Sequence, residues 1–294
     1  MDGFLAINKP KGITSHDAVA FARRRLKIRK IGHAGTLDPL ATGVLVLGIG
    51  SATRLLEYIQ NCEKEYEAEI TFGATSSTDD VEGELTPFPN SERFTREELE
   101  KVLSEFIGAI HQIPPKFSAI KINGKTAYRL AREGKEVKLK PRLVEIHSLT
   151  LSKFEYPKAE ISIRCGSGTY IRSLARDLGA RLGAGAFLSK LTRTRVGDFP
   201  INRALPLKSI LPEKIISIET GTPLPQINLT CNEAEKISNG QKIPARTNEK
   251  KVAAFFENRL LAVLAREEEK HLLRPEKVFH MEHGAQFSTR KIRG

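Results

Sequence analysis

The chain has no tryptophan, two methionines and three cysteines in 294 residues. Cys62, Cys165 and Cys231 are odd in number and far apart, with no C-x-x-C pair and no Cys/His cluster. That pattern excludes a disulfide framework and a cysteine-rich structural zinc site. Long apolar runs are missing too. Val44-Leu45-Val46-Leu47, for example, is far short of the roughly 18 residues that suggest a membrane span. Met1-Asp2-Gly3-Phe4 lacks the basic-then-apolar pattern of a signal peptide, so a soluble, cytoplasmic protein is expected. Nucleotide-site signatures also fail. Gly48-Ile49-Gly50-Ser51-Ala52-Thr53 has Thr53 where a dinucleotide fingerprint needs its third glycine, and Gly166-Ser167-Gly168 fails likewise at Ile171. There is no Walker A loop, no H-E-x-x-H and no G-x-S-x-G elbow. Of the seven histidines only His280 and His283 are close together. Neither a metal nor a cofactor is expected.

Positive charge is abundant. Lys and Arg number 47 against 35 Asp and Glu, a formal net charge of +12. Arg23, Arg24, Arg25, Lys27, Arg29 and Lys30 crowd a short stretch without an acid. From Lys116 to Arg142 there are six Lys and three Arg against Glu133 and Glu136. Either stretch alone could be a solvated face. Two on one chain with this net charge favour a nucleic-acid partner. The second is interleaved with Phe117, Gly124, Tyr128 and Gly134, as suits a basic loop and helix lying along phosphates.

Apolar residues at 40% and charged residues at 28% are an ordinary globular balance. The chain is long enough for one large core, or for a core of roughly 200 residues with a small companion. Ser15 is a candidate N-cap for a helix through Val19, Phe21 and Ala22. Lys64 to Phe72 alternates as a half-buried strand. Thr95 and Glu98 form a capping box ahead of Leu99, Val102, Leu103 and Phe106, and Gly108 closes that helix. Val144 to Leu151 and Ala159 to Cys165 read as strands, and Tyr170 to Leu182 as a helix. Without a regular βαβ rhythm, this predicts an α+β fold with a mixed or antiparallel sheet. Pro212, Pro223 and Pro225 mark a connector. Beyond it, short strand-like runs around Ser238-Asn239-Gly240 suggest a small β-rich domain. The stretch from His280 onward has no periodicity. The expected division is 1–224 and 225–294, and a protein ending near Gln226 should fold if the first unit owns its core.

One acid sits in an unusual setting. Asp38 lies in His33-Ala34-Gly35-Thr36-Leu37-Asp38-Pro39-Leu40-Ala41-Thr42-Gly43. Pro39 disfavours the helical region for Asp38, Gly35 and Gly43 permit an irregular loop, and an apolar strand follows. Such a loop can hold a carboxylate at a strand edge. Read locally, Asp38 could equally be a helix cap or an Asx turn.

Five further blocks accompany that loop. Asn8-Lys9-Pro10-Lys11-Gly12-Ile13-Thr14-Ser15 opens the chain. Lys64-Glu65-Tyr66 is followed by Gly73 and by Asp79-Asp80. Gln112-Ile113-Pro114-Pro115-Lys116-Phe117-Ser118-Ala119 runs on to Ala127-Tyr128 and Arg132. Cys165-Gly166-Ser167-Gly168-Thr169-Tyr170-Ile171-Arg172 and Leu191-Thr192-Arg193 complete the set. Together these motifs, spanning about residues 5 to 199, resemble the TruB-type tRNA pseudouridine synthases, bacterial standalone type. The C-terminal part resembles a small PUA-type RNA-binding domain.

The resemblance implies a pseudouridine synthase fold, with a large mixed, mainly antiparallel sheet flanked by helices and loops. It implies isomerisation of uridine 55 in the tRNA T-loop to pseudouridine: base flipping, glycosidic cleavage, uracil rotation and rejoining through C5. This chemistry needs no cofactor. Asp38 is implied as the catalytic carboxylate. His33, Tyr66, Tyr170, Arg172 and Leu191 are implied around the substrate, with Arg172 pairing to Asp38 and keeping it ionised. Asp80 is implied as structural support of the cleft. Lys9 is implied to contact RNA or brace the loop, while Lys116, Lys121 and Lys125 belong to a basic RNA-binding insertion at about 112–142. The expected partner is the tRNA T stem-loop, with no membrane, no obligatory protein partner and a monomeric state. The alternatives are a guide-RNA-dependent synthase subunit, which would be expected to carry extra terminal segments, and a non-catalytic RNA-binding protein, which would be expected to show changes at 38, 66, 170 or 172.

Overall fold

A computed structural model describes residues 1–88, 93–122, 124–135 and 137–279. Its centre is a ten-stranded sheet, eight of whose strands form a continuous path. Along that path the order is Leu205–Pro206, Gly3–Lys9, Thr42–Ile49, Ala186–Val196, Lys64–Phe72, Lys158–Cys165, Arg142–Glu155 and Gly108–Gln112. Ile31–His33 pairs with Thr42–Ile49, and Phe199–Pro200 with Ala186–Val196. The pairings are antiparallel except at Gly3–Lys9 with Leu205–Pro206 and at Thr42–Ile49 with Ala186–Val196. The sheet is therefore mixed and mainly antiparallel.

The residue patterns explain the elements. Val44 to Leu47 are all fully buried because both faces of their strand are covered. Each such side chain contributes about 1.5–3 kcal/mol relative to exposure. Lys64–Phe72 presents Tyr66, Ala68, Ile70 and Phe72 to the core. Helix Arg96–Glu105 starts on the Thr95/Glu98 capping box, and helix Ile171–Arg181 buries Ile171, Leu174, Ala175 and Leu178. A Cβ on Gly179 would stand 2.3 Å from the backbone nitrogen of Ala186, so glycine there lets this helix lie close against the sheet.

Two local readings change. Thr14, not Ser15, caps helix Ser15–Leu26, in a box closed by Asp17. The Ser15 hydroxyl is engaged elsewhere, as described below. Gly108 does not close helix Arg96–Glu105, whose C-cap is Phe106; with φ +99° it opens the following strand instead.

The C-terminal residues build a separate five-stranded sheet, ordered Gln226–Asn228, Lys251–Phe256, Arg259–Glu267, Leu272–Val278 and Ile243–Pro244. Helix Cys231–Ser238 packs on it, started by a Thr230/Glu233 capping box, so Ser238-Asn239-Gly240 is the end of a helix. One apolar cluster crosses between the two sheets, joining Phe4, Val46, Phe199 and Ile218 to Phe255, Val263 and Phe279. The stretch from His280 onward lies outside the described residues, as does Glu136 of the basic insertion. Among the described residues no helix is long and apolar enough to cross a membrane.

Candidate active site

Residues 34–41 cross from the end of strand Ile31–His33 to the start of Thr42–Ile49, and their anchors leave one side chain outward. Leu37 and Leu40 are buried in the core. The backbone N–H of Leu37 donates to Ser15 Oγ at 2.8 Å, and the same hydroxyl donates to Leu37 O at 3.1 Å. Gly12 N–H reaches Pro39 O at 2.8 Å, and Ala41 N–H closes a turn on Asp38 O at 3.1 Å. Gly35 sits at φ +90°, a conformation L side chains rarely adopt. With both neighbouring leucines pinned, Asp38 keeps 34% of its side chain exposed.

Arg172, in the first turn of helix Ile171–Arg181, meets that carboxylate in a fork. Its Nε is 2.9 Å from Asp38 Oδ2 and its Nη2 donates to Oδ1 at 3.3 Å. Its remaining contacts are the carbonyls of Thr78 at 3.2 Å and Phe117 at 3.0 Å, and Asp80 Oδ2 at 3.6 Å. Three of these contacts are hydrogen bonds and two are ion pairs, so four different residues hold the guanidinium in place. Arg172 and Asp80 are buried, so the open end of the triad belongs to Asp38. Desolvation pushes the Asp38 carboxyl above the usual range, with Asp80 adding to the rise, while Arg172 and Lys9 oppose it. Arg172 thus favours the ionised acid, as the resemblance implies, while burial acts in the opposite direction.

Asp80 itself accepts from Thr78 Oγ1 at 2.6 Å and from Glu82 N–H at 3.0 Å, shaping the turn whose Thr78 carbonyl holds Arg172. Asp79 adopts φ +62° and pairs with Arg176 at 2.9 Å.

The other predicted residues fall around this triad in different ways. Tyr66 is buried on strand Lys64–Phe72, and burial raises its phenol while Arg193 opposes the shift. Tyr170, half-buried, caps helix Ile171–Arg181 without a side-chain cap bond. Buried Gln112 clamps its backbone instead, accepting from Tyr170 N–H at 2.8 Å and donating to Tyr170 O at 3.1 Å. Tyr66 and Tyr170 both lie near enough to Asp38 for its charge to raise their phenols. Leu191 is buried on strand Ala186–Val196, and its carbonyl lies 3.5 Å from Thr42 Oγ1. His33 is half-buried at the other end of the loop, its ring edge-on to His16 at 5.4 Å. Lys9 is fully buried, and its ammonium donates to the carbonyls of Pro10 at 2.9 Å and Ile13 at 2.8 Å. That is the geometry of a loop brace, and it leaves no exposed charge for RNA.

Lys116, Lys121 and Lys125 are exposed on the insertion, where strands Lys121–Ile122 and Lys125–Thr126 lead into helix Ala127–Arg132. Phe117 packs edge-on to Tyr128, and Arg132 lies over the Tyr128 ring. The insertion is tied to the acid through Phe117 O on Arg172 and through Ile113 O, which accepts from Ser173 and Arg176. The sequence motifs give Arg193, Gln112 and Lys64 no role here. All three are buried polar residues, and only a strand's facing direction, invisible in a motif, distinguishes them from surface groups.

Comparison with known proteins places the chain in a family. The model of the TruB family pseudouridylate synthase N-terminal domain matches residues 23–171. A tRNA pseudouridine synthase B of Thermobifida fusca is 41% identical, over 89% of this chain and 94% of its own. One from Carboxydothermus hydrogenoformans is 42% identical over 95% and 99% respectively. Among solved structures, a chain in the crystal structure of a Cbf5-Nop10-Gar1 complex superposes with a TM-score of 0.75 at 25% identity. That match covers 95% of this chain and 85% of the other.

Proposed function

Because this chain belongs to the TruB family of pseudouridine synthases, we propose that it isomerises uridine 55 of the tRNA T-loop, with Asp38 as the catalytic carboxylate. The tRNA substrate rests on the names of relatives that match nearly their full length. The carrying observation for Asp38 is its forked pairing to a buried Arg172 while its own side chain stays open. A carboxylate so held can act on a flipped nucleotide without first reorganising. Tyr66 and Leu191 offer an aromatic and an aliphatic wall for the extruded uracil. Tyr170 borders the acid, and His33 supports the loop from its other end. Lys116, Lys121 and Lys125 give the phosphate backbone an exposed cationic edge.

We assign residues 1–224 to catalysis, with the RNA-binding insertion within about 112–142. Residues 225–294 are a PUA-like RNA-binding unit that adds affinity for tRNA outside the T-loop. On this reading the enzyme works without an obligatory protein partner.

Incubation with a T-arm RNA and mapping of pseudouridine tests the reading. Wild type should convert uridine 55. Asp38→Asn, which keeps shape and removes charge, should still bind RNA while turnover falls below detection. Conversion by a contaminant-free Asn variant would overturn the role of Asp38, and modification of another uridine would overturn the position.

A further inference from the structure

The sheet has one interior parallel junction, and the buried Arg193 stands in it. Arg193 is paired in register with Gly43 on one side and with Tyr66 on the other, so the three residues form one row across three strands. Its side chain is 1% exposed. The Nε donates to Val44 O at 2.8 Å and the Nη2 to Gly35 O at 3.2 Å, one at each flank of the Asp38 loop. That register sets Arg193 directly beside Tyr66 on the neighbouring strand, and its charge opposes the burial that raises the phenol. Among the described residues, no carboxylate forms an ion pair with it within 4.0 Å. Its neighbours include two further buried cations, Lys9 and Lys64, whose ammonium groups its charge destabilises. A buried guanidinium without a counter-ion costs stability, so packing alone would favour an apolar side chain at this place. Gly43 underlines the constraint. A Cβ there would stand 2.2 Å from Arg193 O, and only a glycine at φ +101° lets the two strands close on the arginine.

We infer that Arg193 is a positioning residue that sets the Tyr66 phenol relative to the Asp38 loop, by lying beside Tyr66 in the sheet while bonding both flanks of the loop. Arg193 touches neither the acid nor the open side of the site and acts through Tyr66. The inference rests on the assignment of Tyr66 to the uracil pocket. It goes further in giving the phenol, beyond the ring, a fixed place in the reaction.

The test is a double-substitution cycle on the full chain, using Arg193→Lys and Arg193→Gln, each alone and combined with Tyr66→Phe. Single-turnover rates on T-arm RNA are measured across pH, with circular dichroism and RNA affinity as controls. Arg193→Lys should lower the rate at saturating RNA at least tenfold while changing RNA affinity less than threefold. In the Tyr66→Phe background it should cause no further loss, and it should displace the alkaline limb of the wild-type pH profile. Losses that multiply in the double variant, a rate equal to wild type in a folded Arg193→Lys protein, or a loss of affinity matching the loss of rate would each overturn the inference. So would failure of both Arg193 variants to fold while Tyr66→Phe folds, because that marks a purely structural role. The wild-type reaction and Asp38→Asn, run in parallel, report separately on the function itself.

Discussion

Asp38 and Lys64 are both displaced from ordinary titration, in opposite senses and for the same reason. Burial disfavours each charged form, so the carboxyl rises and the Lys64 ammonium falls to about 8. If ionised Asp38 is the working form, the acid limb of the single-turnover rate should lie above the ordinary aspartate range. A limb at or below the usual aspartate value of 3.8 would show that Arg172 outweighs desolvation. For Lys64 the consequence is one of stability. Its ammonium is held by the carbonyls of Gln60 and Cys62, both at 2.6 Å. Below pH 8 both folded and unfolded chains carry the charge, and the folded one bears the cost of burying it. Between about 8 and the usual lysine value of 10.5 the folded chain binds fewer protons, so stability rises with pH. Urea titrations of wild type and Lys64→Met should therefore diverge in favour of wild type across that window, by up to about 1.4 kcal/mol per pH unit. A pH-independent difference would place the folded lysine at its usual value.

At the level of elements, the Asp38 loop is held chiefly by a hydroxyl from another segment. Ser15→Ala leaves the buried N–H and carbonyl of Leu37 without that partner, which should destabilise the protein by about 1–3 kcal/mol. The rate should fall with RNA affinity little changed, as chemical denaturation and single-turnover assays would register. The insertion makes a different prediction. Replacing Lys116, Lys121 and Lys125 with Gln should weaken RNA binding, and its log–log salt slope should shrink by roughly 0.7–0.9 for each phosphate left without its lysine. An unchanged slope would turn these lysines away from RNA. Elements of this kind are uneven in legibility. Strand Lys64–Phe72 and the Thr95/Glu98 box are plain in the sequence because alternation and capping are local signals. The Thr230/Glu233 box is as visible, yet the Asn-Gly pair after it argues for a turn between strands. Ser15 reads as a cap because its true partner, Leu37, is 22 positions away. Asp38 and Arg172 are legible only through motif blocks; nothing local to either residue shows that they meet. Arg193 goes unassigned, since no pattern marks an arginine that points inward.

Across the whole molecule, the two sheets share a core and a polar seam. Tyr58 donates to Glu276 at 3.2 Å, Lys277 pairs with Glu57, and Arg54 reaches Val278 O at 2.6 Å beside the Phe279 ring. The first unit does not own all of its core. A protein ending at Gln226 should thus lose thermal stability and bind apolar dyes, and the full chain should unfold in one calorimetric transition. Two well-separated transitions, or an undiminished melting temperature after truncation, would show that the units stand alone. The parallel junction reaches further, into the order in which the protein is made. Thr42 and Thr192, hydroxyl to hydroxyl at 2.9 Å, are 150 positions apart, and closing so long a loop costs about 4 kcal/mol of chain entropy. Asp38 precedes Arg172 by 134 positions. At ordinary ribosomal speeds that interval is roughly 7 to 27 s. Throughout it the nascent chain carries the acid without the guanidinium that holds it, and it still lacks the strand that completes the sheet. Asp38 is made well before the arginine and the strand that complete its surroundings, so the site we propose around it can form only after that interval, when the sheet has closed.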